Sequence, residues 1–131
     1  MAALFKKSSH VSMSSPVPTS ITLHRASHVL EVAFDGGESF RLSAEYLRVN
    51  SPSAEVQGHG PGQKVLVAGK ANVNIDAVEP VGNYAVLLRF DDGHATGLFS
   101  WDVLYTLGRD HARNWQGYLD ELSARGVSRF P

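Results

Sequence analysis

Cysteine is absent from this 131-residue sequence, which excludes disulfide bridges, thiolate metal ligands and cysteine nucleophiles. No apolar run approaches the length that a membrane-spanning helix needs. No signal peptide is predicted, because serine, histidine and proline interrupt the sequence after Lys6 and Lys7. The net charge of −1 argues against binding to nucleic acid, which needs a basic surface to neutralise phosphates. We therefore predict a cytoplasmic protein that binds neither nucleic acid nor a membrane.

The composition that remains is that of an ordinary globular domain, with 43% hydrophobic and 19% charged residues. Residues 1–19 are rich in serine and proline and show no apolar period, which predicts a disordered leader. Residues 20–131 are predicted to form a single domain, since that length suffices to bury one hydrophobic core.

Two stretches of the chain repeat one pattern. Val29–Leu47 reads VLEVAFDGGESFRLSAEYL, and Ala85–Leu104 reads AVLLRFDDGHATGLFSWDVL. In each, an alternating apolar stretch runs into a Phe-Asp-x-Gly turn, and a second short stretch follows. A serine, Ser43 or Ser100, then stands where a helix N-cap is expected. The pattern predicts two hairpin–short-helix units of similar structure.

The last predicted element is an amphipathic helix from about Asp110 to Arg125. Its apolar residues recur at three- and four-residue steps: Ala112, Trp115, Leu119 and Leu122. Together the elements predict an α+β fold. A mainly antiparallel sheet of five or six strands comes from the two pseudo-repeated units, and the helices cover one face of it.

No catalytic constellation is visible in the sequence. Neither Ser43 nor Ser100 lies in a Gly-x-Ser-x-Gly elbow, and the glycine-rich loop at residues 58–62 lacks the Gly-Lys-Ser/Thr ending of a phosphate-binding loop. His59 in that loop and His94 after the second turn are candidate metal ligands. Two histidines without thiolates fall short of a zinc-site pattern, and turn histidines bonded to the backbone are the alternative.

The passage LRVNSPSAEVQGHG, followed by VGNYAVLLRFDDGHATGLFSWDVL, resembles a small bacterial family of unassigned function. That family is related to the N-terminal domain of gamma-butyrobetaine hydroxylase, and the resemblance covers about Ile21 to Leu107. The iron and 2-oxoglutarate of the hydroxylase lie in a separate catalytic domain, so the resemblance implies no oxygenase activity. Similar domains occur at the end of some P-loop ATPases with iron–sulfur clusters, which implies a link to iron–sulfur or cofactor metabolism.

The resemblance also concerns a zinc ion that the matching domain of the hydroxylase holds with three cysteines and a histidine. Those positions correspond here to Ser51, Ser53, Val56 and His94. Because only the histidine is a zinc ligand, the resemblance implies that the zinc site is lost and that no cofactor is bound. A relocated site that uses His59 and His94 with Asp92 or Glu55 is the alternative.

The leading hypothesis is a non-enzymatic accessory module that binds a protein partner. The candidate partner-binding residues lie in the loop after the first short helix and in the second turn: Arg48, Asn50, Ser51, Ser53, Glu55, Gln57, His59, Asp92 and His94. Trp101 is predicted to pack in the core, and it is a further partner-binding candidate in the alternative that it is exposed, since aromatic residues anchor interfaces. Replacing Arg48 and His59 is then expected to weaken a complex without lowering the melting temperature.

Two alternatives from other classes remain. The first is a small metal-dependent or small-molecule-handling enzyme that uses His59, His94 and Asp92, which requires these side chains to converge. The second is a structural homo-oligomer, joined through an exposed sheet edge or through the C-terminal helix.

Overall fold

The structure is a computed structural model that describes residues 16–58 and 64–131. It contains six strands: β1 (Pro18–His24), β2 (Val29–Phe34), β3 (Ser39–Ser43), β4 (Ile75–Val81), β5 (Ala85–Phe90) and β6 (Leu98–Ser100). Its helices are α1 (Ala44–Val49), α2 (Ala54–Gln57), α3 (Trp101–Arg109) and α4 (His111–Arg125). The predicted α+β class with a C-terminal helix is confirmed. Within the described ranges, none of these helices is both long and apolar enough to cross a membrane.

The strands form two three-stranded antiparallel sheets, in the orders β1-β2-β3 and β4-β5-β6. The sequence predicted one sheet of five or six strands, and this detail is wrong. Each repeat pairs its own strands, because a short turn places consecutive antiparallel strands side by side. Within the repeats Val32 lies opposite Phe40, and Val86 lies opposite Phe99.

Strand β1 begins at Pro18, within the predicted leader of residues 1–19. Pro18 lies opposite Phe34 in the pairing of β1 with β2, so residues 18 and 19 belong to the sheet and not to a leader. The rest of the predicted leader, up to residue 15, lies outside the described residues.

Serine caps begin the short helices of both repeats, as predicted. The Ser43 hydroxyl accepts a hydrogen bond from the Tyr46 amide at 3.0 Å, and the Ser100 hydroxyl accepts one from the Val103 amide at 3.2 Å. These bonds satisfy amides that the first turn of a helix leaves without a partner. Each helix therefore starts directly at the end of a strand.

One hydrophobic core joins both repeats. The alternation in β2 and β5 turns one face of each strand inward, burying Val32 and Leu88 completely. The same cluster includes Leu47 of α1 and Leu104 of α3. A smaller cluster, which contains Val49, Tyr118 and Leu122, joins α4 to the end of α1. The end of α1 is thus held on two sides, and the chain that follows it starts from a fixed position.

Candidate functional site

The predicted site lies where the chain after α1 meets the turn between β5 and β6. Ser51 and Ser53 follow α1, and the Ser53 hydroxyl caps α2 by accepting a hydrogen bond from the Glu55 amide at 3.2 Å. His94 comes directly after the turn, where the amide of His94 donates to Asp92 Oδ1 at 3.0 Å. Local capping and turn chemistry therefore present the two groups of side chains to each other.

A chain of hydrogen bonds runs from Ser51 through His94 to Glu55. The Ser51 hydroxyl lies 3.0 Å from Nε2 of His94, and Nδ1 of His94 lies 3.1 Å from Oε1 of Glu55. These partners assign the imidazole tautomer that donates from Nδ1 to the carboxylate and accepts at Nε2 from the serine. The order serine, histidine, carboxylate is that of a hydrolase triad.

The burial of these residues is the reverse of what a hydrolase needs. Ser51 is fully buried, whereas the Glu55 side chain is 64% exposed. A Cβ atom on Gly97 would lie only 2.3 Å from the Ser51 hydroxyl, so the backbone of residue 97 covers that oxygen. Because a nucleophile must be open to its substrate, this arrangement supports a structural role for the hydroxyl.

The neighbouring polar side chains extend the same internal network. The hydroxyls of Ser53 and Thr96 lie 2.6 Å apart, and the Thr96 hydroxyl donates to Glu55 Oε2 at 3.3 Å. The Gln57 side-chain amide donates to the Ser51 carbonyl oxygen at 2.8 Å. The Asn50 side-chain amide donates to a carbonyl oxygen of α1 at 2.9 Å. Four predicted partner-binding residues are thus hydrogen-bonded to other groups of the protein, although the Glu55 side chain remains exposed.

An ion cluster fixes the other side of the turn. Arg48 Nε donates to Asp92 Oδ2 at 2.8 Å, and Lys70 Nζ lies 2.6 Å from the same oxygen. Burial of the Asp92 carboxyl favours a higher pKa, but the hydrogen bonds from Lys70, the His94 amide and Arg48 outweigh it and lower the pKa to about 2. The Arg48 side chain is only 12% exposed. Replacing Arg48 is therefore expected to lower the melting temperature, unlike the sequence-based expectation.

The four positions that correspond to zinc ligands lie together in the fold. Ser51 contacts His94, and the Ser53 amide donates to the Ser51 hydroxyl at 3.3 Å. The amide of Val56 donates to the Ser53 carbonyl oxygen at 2.9 Å, and the Val56 side chain is buried. This donor set does not fit zinc, because hydroxyls are poor ligands and both ring nitrogens of the single imidazole are hydrogen-bonded. Within residues 16–58 and 64–131, no three His, Asp or Glu side chains are placed to hold a metal. His59, the other candidate ligand, lies outside the described residues.

Trp101 is anchored to the protein. Its Nε1 atom donates to the Asn83 carbonyl oxygen at 2.7 Å, and its ring packs against the main core. The exposed apolar residues near it are Tyr84 and Leu98, which are 53% and 41% exposed and which the sequence analysis did not single out. Alternation in β6 puts Leu98 and Phe99 on opposite faces, and burial of Phe99 in the fold turns Leu98 outward.

The sequence of the chain matches the model of one protein family. The model of the family described as gamma-butyrobetaine hydroxylase-like, N-terminal, matches residues 21–105. No curated protein matches the sequence.

Three solved structures are similar to the chain. The first is a solution NMR structure that is 50% identical in sequence, with a TM-score of 0.79; the match covers 90% of this chain and 93% of the other chain. The second is also a solution NMR structure, 52% identical, with a TM-score of 0.78; the match covers 95% of this chain and 92% of the other chain. The third is the crystal structure of a protein with unknown function from Acidithiobacillus ferrooxidans, which belongs to the DUF971 family. It is 41% identical, with a TM-score of 0.58, and the match covers 70% of this chain and 91% of the other chain.

Proposed function

The chain belongs to the gamma-butyrobetaine hydroxylase-like N-terminal family, and on that basis we propose that it is a non-enzymatic module that binds a protein partner. The observation that carries the proposal is that the reactive side chains at the site face one another. Ser51 is buried, His94 uses both ring nitrogens, and Asp92 is paired with two cations. These side chains therefore stabilise the fold around the turn, and none of the three is free to act on a substrate.

In this proposal hydrogen bonds and ion pairs replace the zinc that the family resemblance implies. A structural zinc joins distant chain segments through its ligands. Here the contact between Ser51 and His94 joins segments 43 residues apart, and the Arg48–Asp92 pair joins segments 44 residues apart. Val56 fills apolar space at a position where a ligand is expected. The same two segments are therefore held together without a metal.

The proposed binding surface is the outer side of β6 with the adjoining β4–β5 turn. Leu98 and Tyr84 supply exposed apolar area there, and Thr96 is an exposed polar neighbour. In the part of the chain that the structure describes, β6 pairs only with β5, so no strand is hydrogen-bonded to its other edge. A strand edge without a paired strand, with apolar side chains beside it, suits a protein partner, and the family resemblance favours one from iron–sulfur or cofactor metabolism.

Elemental analysis of the tag-free protein, combined with native mass spectrometry, tests the metal-free part of the proposal. We expect a monomer mass without a stoichiometric metal. About one metal ion per chain would contradict this and would favour the enzyme hypothesis based on His59 and His94. A dimer or higher oligomer that persists on dilution would favour the homo-oligomer hypothesis instead.

The binding surface is tested with a partner purified by affinity capture and then reconstituted with the pure chain. We expect Leu98→Ser to raise the Kd at least about tenfold, because an interface depends on a few central apolar residues. The matched control is Val17→Ser, since Val17 is 47% exposed and precedes β1 of the other sheet. Equal Kd values for the two variants, at unchanged melting temperatures, would exclude the β6 surface.

A further inference from the structure

The last residues of the chain, Val127–Pro131, follow α4 as a tail that lies against the segment before β4. The amide of Gly69 donates to the Ser128 carbonyl oxygen, and the amide of Ala71 donates to the Arg129 carbonyl oxygen, each at 2.9 Å. Backbone hydrogen bonds of this kind attach a peptide without regard to its side chains. The tail lies in a cleft beside the segment before β4. If this cleft distinguishes one peptide from another, the distinction must come from contacts with the peptide's side chains.

Arg129 is the side chain that the tail inserts. Its Nε and Nη2 atoms donate to the two carboxylate oxygens of Glu45 at 2.9 and 2.7 Å. Its guanidinium carbon lies 5.2 Å from the centroid of the Trp115 ring. A planar guanidinium matches both the fork of a carboxylate and the face of an aromatic ring, which the compact charge of a lysine does not. The geometry of the pocket therefore suits an arginine better than a lysine.

The pocket needs a cation. The Glu45 side chain is only 6% exposed, and among the described residues Arg129 alone hydrogen-bonds its carboxylate. A buried carboxylate without a cation is strongly unfavourable. If the tail leaves, another arginine is the group best suited to take its place.

The rest of the tail is poorly covered, and space remains beside the arginine. Phe130 is 63% exposed and Val127 is 44% exposed. A cavity of about 350 Å³ next to the Glu45–Arg129 pair is lined in part by His28, Ser43 and Asn72. That volume is much larger than a water molecule occupies, and its lining carries hydrogen-bonding groups. The cleft thus offers more contacts than the chain's own tail uses.

We propose that the cleft between Glu45 and Trp115 recognises an arginine-bearing segment of a partner protein, and that the chain's own tail occupies it as an exchangeable internal ligand. The partner segment carries one arginine for the Glu45 pocket and polar neighbours for the adjoining cavity. This surface is separate from the one around Leu98. Failure of either proposal therefore leaves the other standing.

The test uses the full chain with Arg129→Ala, which empties the pocket and keeps the tail backbone. The probe is a fluorescent peptide with the sequence of residues 126–131, GVSRFP, and the control peptide has alanine in place of the arginine. The matched protein control is Arg125→Ala, since Arg125 is an exposed α4 residue whose side chain pairs with Glu121.

Fluorescence anisotropy is expected to show that the Arg129→Ala chain binds the arginine peptide at least about tenfold more tightly than the alanine peptide. The wild-type and Arg125→Ala chains should bind the arginine peptide about tenfold more weakly, because their own Arg129 fills the pocket. If the folded Arg129→Ala chain binds both peptides equally, or neither at about 1 mM, the proposal is overturned.

If the Arg129→Ala chain does not fold, the proposal is tested with the wild-type chain instead. In its ¹⁵N NMR spectrum, excess unlabelled arginine peptide is expected to shift the amide signals of the chain's own Ser128 and Arg129, because the tail leaves Gly69 and Ala71 when the peptide replaces it. The alanine peptide should leave both signals in place. Identical spectra with the two peptides would overturn the proposal.

Discussion

The hydroxyl of Ser51 lies 3.0 Å from Nε2 of His94, and the backbone of Gly97 closes over the same hydroxyl. The contact therefore exists only because residue 97 has no side chain. A buried serine–histidine hydrogen bond also limits motion, since either group left alone would be an unsatisfied polar atom in the interior. Ser51, His94 and Gly97 together determine how closely the segment after α1 approaches β6.

Gly97→Ala is expected to destabilise the protein by roughly 1–3 kcal/mol, because its Cβ would lie 2.3 Å from the Ser51 hydroxyl. The matched control is Gly117→Ala in α4, where a new Cβ has no neighbour among the described residues within 4 Å. The control should gain up to about 1 kcal/mol from helix propensity. Urea unfolding followed by circular dichroism measures both.

The double variant Ser51→Ala/Gly97→Ala identifies the cause of that loss. Without the hydroxyl, the nearest atom to the new Cβ is Phe99 Cε1 at 3.1 Å, a milder contact. We expect the effects of the two substitutions to be non-additive by about 1 kcal/mol. Additive losses would mean that the Ser51 hydroxyl is not what excludes a side chain at position 97.

Acid should weaken the protein as the Asp92 carboxylate is protonated. The folded-state pKa of Asp92 is about 2, below the ordinary value of 3.8, so its stabilising effect is complete above about pH 4 and is lost as the pH falls towards 2. Because solvent screens this partly exposed carboxyl, we expect the ion cluster to contribute roughly 1 kcal/mol, less than the full shift would imply. Asp92→Asn should lower the free energy of unfolding at pH 7 and flatten its slope between pH 4 and pH 2. A variant with an unchanged acid slope would show that another carboxylate controls it.

The proposal that hydrogen bonds and ion pairs replace a zinc at this site predicts a gain of zinc binding when the ligands are supplied. In the variant Ser51→Cys/Ser53→Cys/Val56→Cys, three thiolates would stand beside His94, which is the ligand set Cys₃His of structural zinc sites. We expect about one tightly bound zinc per chain, measured by elemental analysis, and a melting temperature that falls when a chelator is added. The same variant with His94→Ala is the control and should bind zinc more weakly.

Features that depend on neighbouring residues were predictable from the sequence. The caps at Ser43 and Ser100, the repeated turns and the span of α4 follow from rules that act within a few residues. The inward orientation of the polar loop could not be predicted from the sequence, because it depends on contacts between segments about 43 residues apart. A polar loop rich in hydrogen-bonding groups predicts a binding surface that includes Ser51 and Arg48, but the pattern does not show that these groups bond to one another.

The separation of the strands into two sheets was also beyond the sequence pattern. Alternation identifies a strand and the face it buries, but it does not name the strand on its other edge. Likewise, Leu98 reads like any apolar strand residue, and only the burial of Phe99 in the folded chain shows that Leu98 points outward. The proposed binding surface around Leu98 could therefore be identified only from the structure.

Tyr46 should be the residue whose hydroxyl most affects the framework behind the site. It donates to the Leu107 carbonyl oxygen at 2.6 Å and accepts from the Asn114 side-chain amide at 3.1 Å, which joins α1 to α3 and α4. Burial raises the pKa of this fully buried tyrosine, so the hydroxyl stays protonated and keeps donating through the neutral and mildly alkaline range.

Tyr46→Phe keeps the ring and removes both hydrogen bonds, leaving a buried carbonyl and an amide without their partner. We expect a loss of about 1–3 kcal/mol in the free energy of unfolding. Tyr84→Phe, at a tyrosine that is 53% exposed, is the matched control and should stay within about 0.5 kcal/mol of the wild type. Because α1 leads directly into Ser51 and Ser53, Tyr46→Phe should also speed hydrogen exchange at the amide of Ser53. Equal stability of the two variants would show that packing of the Tyr46 ring, without its hydroxyl, holds α1 in place.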